Sequence, residues 1–150
     1  MFELNRLIYN GKKMTEKKQY LKAIVLLKQA LSLSPQSSEV KYLLGLAYYN
    51  NKEIDSALPL LEEVKNFSPE NPELLYYLGD GYLQAGKFEE AESHLKLAIQ
   101  YFAKFPEAYL ALGQLELKKN NSIFALRYFT RAVSLDPLIV KTRLTSLLSA

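Results

Sequence analysis

Residues 75–98 read LYYLGDGYLQAGKFEEAESHLKLA. Leu75, Leu78 and Tyr82 recur at helical spacing in the first half, and Ala91, Leu95 and Ala98 recur in the second, so the stretch reads as two amphipathic helices. Its small residues belong to a longer pattern. Glycines stand at 11, 45, 79 and 113, each 34 residues from the next, and alanines at 23, 57, 91 and 125 keep the same interval. Four residues after each alanine come Leu27, Leu61, Leu95 and Phe129, and seven after come Ala30, Val64, Ala98 and Ala132. Twelve after come Pro35, Pro69, Ala103 and Pro137. Coincidence does not account for so many registers. The copies fall at about 4–37, 38–71, 72–105 and 106–139 without an insertion.

This arrangement resembles the tetratricopeptide repeat, whose period is 34 residues with Leu-Gly, Tyr, Ala, Phe, Ala and Pro at fixed offsets. The third copy, with Leu78-Gly79, Tyr82, Ala91, Leu95 and Ala98, matches that pattern most fully. The resemblance implies an all-α fold, a right-handed superhelix of four helix-turn-helix repeats forming one domain over 1–150. The spacing predicts first helices over 4–16, 38–50, 72–84 and 106–118, and second helices over 20–33, 54–67, 88–103 and 122–135. A capping helix is expected over about 138–149, with Val140, Leu144, Leu147 and Leu148 as its apolar stripe and Lys141 and Arg143 facing water. Each repeat glycine and alanine is read as a point of close approach between two helix backbones.

The departures carry expectations of their own. Asn10 and Met14 weaken copy one, as suits a terminal repeat whose outer face meets water. Glu116 stands where the other copies carry Met14, Tyr48 or Tyr82. Ala103 replaces the terminal proline of copy three, so its second helix is expected to run on through Phe102 until Pro106 diverts the chain. Pro59, in the second turn of a second helix, predicts a mild kink or a late start.

Composition closes off several functions. The 150 residues include 49% hydrophobic and 23% charged side chains, which excludes a disordered chain. With no cysteine there is no thiolate nucleophile, cysteine–zinc site or iron–sulfur cluster. The single histidine, His94, excludes a two-histidine metal site and is expected on the convex surface. No nucleotide loop or nucleophile elbow occurs, and Gly79-Asp80-Gly81 lies inside a predicted helix. Adjacent carboxylates such as Glu62-Glu63 and Glu89-Glu90 point apart on a helix and do not converge on a substrate. The expectation is a chain with no catalytic residues, no cofactor and no metal. The absence of a long apolar run or a leader-like N-terminus points to the cytoplasm.

Net charge is +3 but uneven: residues 1–37 carry +5, residues 38–71 carry −3 and residues 72–105 carry −2. Basic ends flanking an acidic middle do not make a continuous track for nucleic acid. Lys12, Lys13, Lys17, Lys18 and Lys22 read as the solvated face of a terminal repeat. Glu39, Glu73 and Glu107 recur at the second position of successive copies, where a helix N-terminus favours a carboxylate; a role on the groove rim is the alternative.

The resemblance places the functional surface on the first helices, which line a concave groove in this family. The candidate partner-binding residues are Ile8, Tyr9 and Lys12 in copy one, and Tyr42, Leu46, Tyr49 and Asn50 in copy two. Copy three contributes Tyr76, Tyr77, Asp80, Leu83 and Gln84, and copy four contributes Leu110 and Gln114. Five of the 11 tyrosines fall on these positions. Tyrosine joins a large apolar face to a polar tip at small entropic cost, which suits recognition. Family members that grip the acidic C-terminal tails of heat-shock chaperones use a basic clamp. The matching positions here are Ile8, Lys12, Leu43, Glu73 and Tyr77, or one copy later Tyr42, Leu46, Tyr77, Glu107 and Ala111. Only one of these is basic and two are acidic, so that partner class is excluded.

The reading is a non-catalytic scaffold or adaptor that binds an apolar peptide segment of another protein in a tyrosine-lined groove. The alternative is a homo-oligomer that assembles through the same apolar surfaces. Nucleic-acid binding ranks last.

Overall fold

The computed structural model describes residues 1–148, with side chains described to Arg143. Of the expected apolar stripe, Val140 is exposed rather than packed, and Leu144, Leu147 and Leu148 lie outside the described side chains. Among the described residues every regular element is α-helical. The chain forms two compact units, Met1–Pro69 and the remainder from Glu70, so the boundary falls where copy two gives way to copy three.

The first unit contains α1 (Phe2–Glu16), α2 (Tyr20–Leu33), α3 (Ser38–Asn50) and α4 (Ile54–Lys65). α1 packs on α2, α3 packs on α4, and α2 joins the two pairs through α3. Ala23, Ile24, Leu27, Leu44 and Ala47 form one core cluster, and Leu7, Ala30 and Val40 form another. The second unit contains α5 (Pro72–Gln84), α6 (Phe88–Tyr101), α7 (Pro106–Lys118), α8 (Ser122–Leu135) and α9 (Ile139–Leu148). Its main core joins Leu75, Ala91, Leu95, Ala98, Leu112 and Leu115.

The helix starts have local causes. The Ser37 hydroxyl accepts from the Val40 amide at 3.2 Å, and Asn71 Oδ1 accepts from the Glu73 and Leu74 amides at 3.1 and 3.2 Å. Each satisfies donors that a helix N-terminus leaves open. Pro72 and Pro106 occupy first-turn positions where no amide hydrogen is needed. The turn inside each repeat is also shared. Lys18, Lys52, Gly86 and Asn120, again 34 apart, all have positive φ. Each is followed by an amide that reaches back five residues, as Glu53 N does to the Tyr48 carbonyl at 2.9 Å. This paired closure ends a helix by satisfying its last carbonyls.

Several expectations are corrected. Gly11, Gly45 and Gly113 make room for a facing side chain rather than a facing backbone, whereas Gly79 also stands close to the Leu95 backbone nitrogen. A methyl at Gly11 would lie 2.7 Å from Leu27 Cγ, one at Gly45 would lie 2.8 Å from Leu61 Cδ2, and one at Gly113 would strike the Phe129 ring. α6 stops at Tyr101, with Phe102 extended at φ −139°. Ser34 and Asp136 leave α2 and α8 at the same repeat position with φ −140° and −144°. The exit is thus built into the register and does not depend on the proline that Ala103 replaces. α4 begins on time at Ile54 with Pro59 exposed in its interior, and it ends two residues earlier than expected.

His94 is buried, not surface-exposed. Its Nδ1 lies 2.7 Å from the Glu90 carbonyl and its ring 5.2 Å from that of Tyr82. Glu116 is buried at the aromatic position and accepts from Asn121 Nδ2 at 2.8 Å, with Lys119 at 3.6 Å. A carboxylate is tolerated there because the turn that follows supplies its partners.

Candidate functional site

In the first unit the candidate positions divide between exposed and packed side chains. Tyr9 is 63% exposed, with the Lys13 ammonium 5.9 Å from its ring centre. Ile8 packs against the Leu7–Ala30–Val40 cluster. Lys12 Nζ meets Glu39 Oε1 at 2.7 Å, which ties α1 to α3 across their first-helix face. Both partners are well exposed, so this pair is worth at most about 1 kcal/mol. Tyr42, Leu46 and Asn50 are half-buried on α3, whereas Tyr49 is buried.

The second unit is more closely organised. Tyr76 is buried, with its ring 5.3 Å from Tyr77 and 5.2 Å from Phe105. Its hydroxyl accepts from Arg143 Nη2 at 2.7 Å. The same guanidinium lies 3.7 Å from Asp80, a buried carboxylate that also accepts from Gln84 Nε2 at 2.8 Å. Arg143 was expected in water. It turns inward because α9 brings a fixed cation to a carboxylate that is otherwise costly to bury. Leu110 is buried against Ala132 and Ile139, the first residue of α9. Leu83 packs at the edge of the main core, and Gln114 is half-buried. Tyr76, Asp80 and Leu110 therefore serve the packing of α5, α7 and α9, while Tyr77, Leu83, Gln84 and Gln114 keep exposed surface.

Next to Tyr77 a cleft of about 400 Å³ opens between the starts of α5 and α7 and the segment that joins α6 to α7. Asn71, Pro72, Tyr76 and Tyr77 line one part of it, and Phe102 and Phe105 line another, with Glu73 and Glu107 at its walls. Phe102 and Phe105 pair at 5.7 Å. The Tyr77 hydroxyl titrates above its ordinary value, first because burial disfavours the phenolate and next because Glu73 and Glu107 repel it. Arg143 acts in the opposite direction and Asp80 adds to the rise. Among the described residues, Glu73 and Glu107 are the charged side chains lining the cleft.

Sequence reasoning missed Phe102 and Phe105 because they lay in a stretch assigned to a helix end. The available signal was two aromatic residues flanking Ala103 and Lys104 just before Pro106. By repeat position Glu73 and Glu107 fall on the groove, where a helix N-terminal role stands against one on the groove rim.

Helix pairs in a 34-residue register, with unequal sharing of surface between core and solvent, define a helical-repeat scaffold. Two family models agree. One, described as anaphase-promoting complex, cyclosome, subunit 3, matches residues 16–98, and one described as tetratricopeptide repeat matches residues 76–138. The chain belongs to the tetratricopeptide-repeat proteins, a class of protein-interaction scaffolds. No curated protein matches the sequence. Among solved structures, MamA from Desulfovibrio magneticus RS-1, covering its residues 41 to the end, aligns with a TM-score of 0.83 at 22% identity. That alignment covers 91% of this chain and 77% of the other. A further MamA crystal structure aligns with a TM-score of 0.79 at 25% identity over 92% of this chain and 81% of the other. These similarities support the fold.

Proposed function

We propose that the chain is a non-catalytic adaptor that binds an extended segment of a partner protein on the first-helix faces of its repeats. The observation that carries this reading is the aromatic surface at first-helix positions that keeps solvent access in each unit: exposed Tyr9 and half-buried Tyr42 in the first, half-buried Tyr77 beside the Phe102–Phe105 cleft in the second. A packed core does not need aromatic rings at exposed positions, while recognition surfaces are enriched in them. Nothing in this reading requires catalytic residues, a cofactor or a metal. Among the described residues no group of three or more histidine, cysteine or carboxylate side chains has metal-binding geometry. No described helix is long and apolar enough to cross a membrane.

Probing a random peptide array with the labelled full-length protein tests the proposal. Peptides rich in apolar and aromatic residues should be captured. The Tyr42→Ala and Tyr77→Ala variants should each lose part of the captured set while keeping wild-type helicity. A set that stays unchanged in both folded variants would remove the first-helix faces from the account.

Self-association is a second reading, favoured by one observation. α8 leaves Ile123 and Leu126 exposed, at 72% and 67%, and Leu138 just beyond it is 63% exposed. Apolar side chains repeated along one helix suit a contact between copies. Light scattering over a concentration range separates the readings: a strict monomer leaves only the adaptor.

A further inference from the structure

We propose that the aromatic and acidic cleft of the second unit receives an arginine side chain carried on the partner segment, with Glu73 and Glu107 as its anionic partners and Tyr77, Phe102 and Phe105 as its stacking surface. The inference rests on the adaptor reading and specifies the chemistry of what is bound.

The cleft of about 400 Å³ has room for one long side chain. Its rings provide faces that attract a cation and that a planar group can stack on. Two carboxylates share its walls, and among the described residues neither Glu73 nor Glu107 is held in an ion pair with a lysine or arginine. A purely apolar occupant would cover them without replacing their water, which is unfavourable. A phosphate or carboxylate would be repelled. A guanidinium answers both halves of the lining, because it stacks flat on a ring and donates in the ring plane to carboxylates. A lysine ammonium satisfies the charge but has no flat face to stack. Arg143, which donates to the hydroxyl of Tyr76, is engaged with Tyr76 and Asp80 and offsets part of the glutamates' effect on Tyr77.

The experiment follows backbone amide NMR shifts of the full-length protein during titration with Nα-acetyl-arginine methylamide. The neutral isostere Nα-acetyl-citrulline methylamide and the lysine and norleucine analogues serve as comparisons. A single side chain should bind with a dissociation constant of about 1–10 mM, in keeping with about −3 to −4 kcal/mol. Saturable shifts should centre on Tyr77 and Phe105. Lysine should bind more weakly, and citrulline and norleucine at least about tenfold more weakly, a loss of about 1.4 kcal/mol. A Glu73→Gln/Glu107→Gln double variant, changed only at first-turn side chains, should keep wild-type helicity and lose the arginine shifts. Equal shifts from citrulline or norleucine would overturn the proposal by showing an apolar slot. So would the absence of saturable shifts, or shifts that persist in the double variant. If the double variant instead loses self-association while arginine produces no shift, the occupant is a second copy and the proposal fails. Array-captured peptides that bind the double variant as tightly as wild type would overturn the arginine site and leave the adaptor reading standing. An array that captures nothing would count against the adaptor, and the titration would still decide the cleft.

Discussion

The repeat glycines show how one residue sets a local packing. At Gly79 an added methyl would lie 2.5 Å from Leu95 Cγ and 3.1 Å from the Leu95 backbone nitrogen. A backbone atom cannot rotate aside, so Gly79→Ala should cost about 1–3 kcal/mol. Gly113→Ala should cost more than Gly11→Ala, because Phe129 presents a rigid ring where Leu27 presents a flexible side chain. Gly86 differs from all three. Nothing stands within 4 Å of its added methyl, but its φ of +77° is strained for any other residue, so Gly86→Ala should cost about 1 kcal/mol through the backbone alone. Urea unfolding of the four variants checks the order. A Gly79→Ala protein as stable as wild type would show that the α5–α6 packing adapts more freely than the geometry allows.

Among elements, the inner turns and the inter-helix ties make separate predictions. Lys18 and Lys52 occupy left-handed positions with φ of 58° and 67° where Gly86 stands in the third copy. Lys52→Gly should therefore stabilise the first unit by about 0.5–1 kcal/mol, a thermal shift of a few degrees. An unchanged or lowered midpoint would mean that the lysine side chain contributes more than its backbone strain costs.

Glu92 on α6 bonds Lys96 at 2.6 Å and Lys119 at 2.9 Å, and those bonds hold its carboxyl below the usual carboxylate range. A lowered folded value stabilises the protein above the unfolded carboxylate pKa, and this contribution fades as pH falls toward the folded value. Glu92→Gln should lower stability at neutral pH and flatten the acid limb, with the two proteins converging at the lowest pH. Parallel curves would show that the pair is solvated.

α9 is tied to α5 through Arg143, which meets Tyr76 and Asp80. Arg143→Gln should raise hydrogen exchange throughout α9 and cost about 1–3 kcal/mol by leaving Asp80 with fewer partners. Exchange in α9 equal to wild type would mean that the Arg143 contacts do not fix the helix.

At the scale of the whole molecule, what was legible followed from what repeats. The first helices end where the spacing of Gly11, Gly45, Gly79 and Gly113 predicts, because each copy meets the same neighbours at the same register. The placement of Tyr42, Tyr77 and Gln84 on partly or fully exposed first-helix positions was legible for the same reason. Non-repeating features were not. Arg143 meets Tyr76 across 67 residues, outside the copies altogether, and no local pattern encodes such a contact. The burial of Leu110 depends on Ile139 in the same way. Phe102 and Phe105 became visible only when the α6–α7 connection proved extended, since in a continued helix their rings would point elsewhere. The candidate surface thus divides into positions inherited from the repeat and positions this sequence built once, and the acidic aromatic cleft belongs to the second kind.

The central claim is that a protein segment binds to the partly exposed first-helix rings. The most direct measurement is calorimetric titration of an array-captured peptide into wild type and into the Tyr42→Ala and Tyr77→Ala variants. Wild type should bind with a dissociation constant near the micromolar range, about −8 kcal/mol. At least one variant should weaken binding by about tenfold or more, as expected when an aromatic anchor is removed, with its helicity unchanged. Wild-type affinity in both variants would contradict the account.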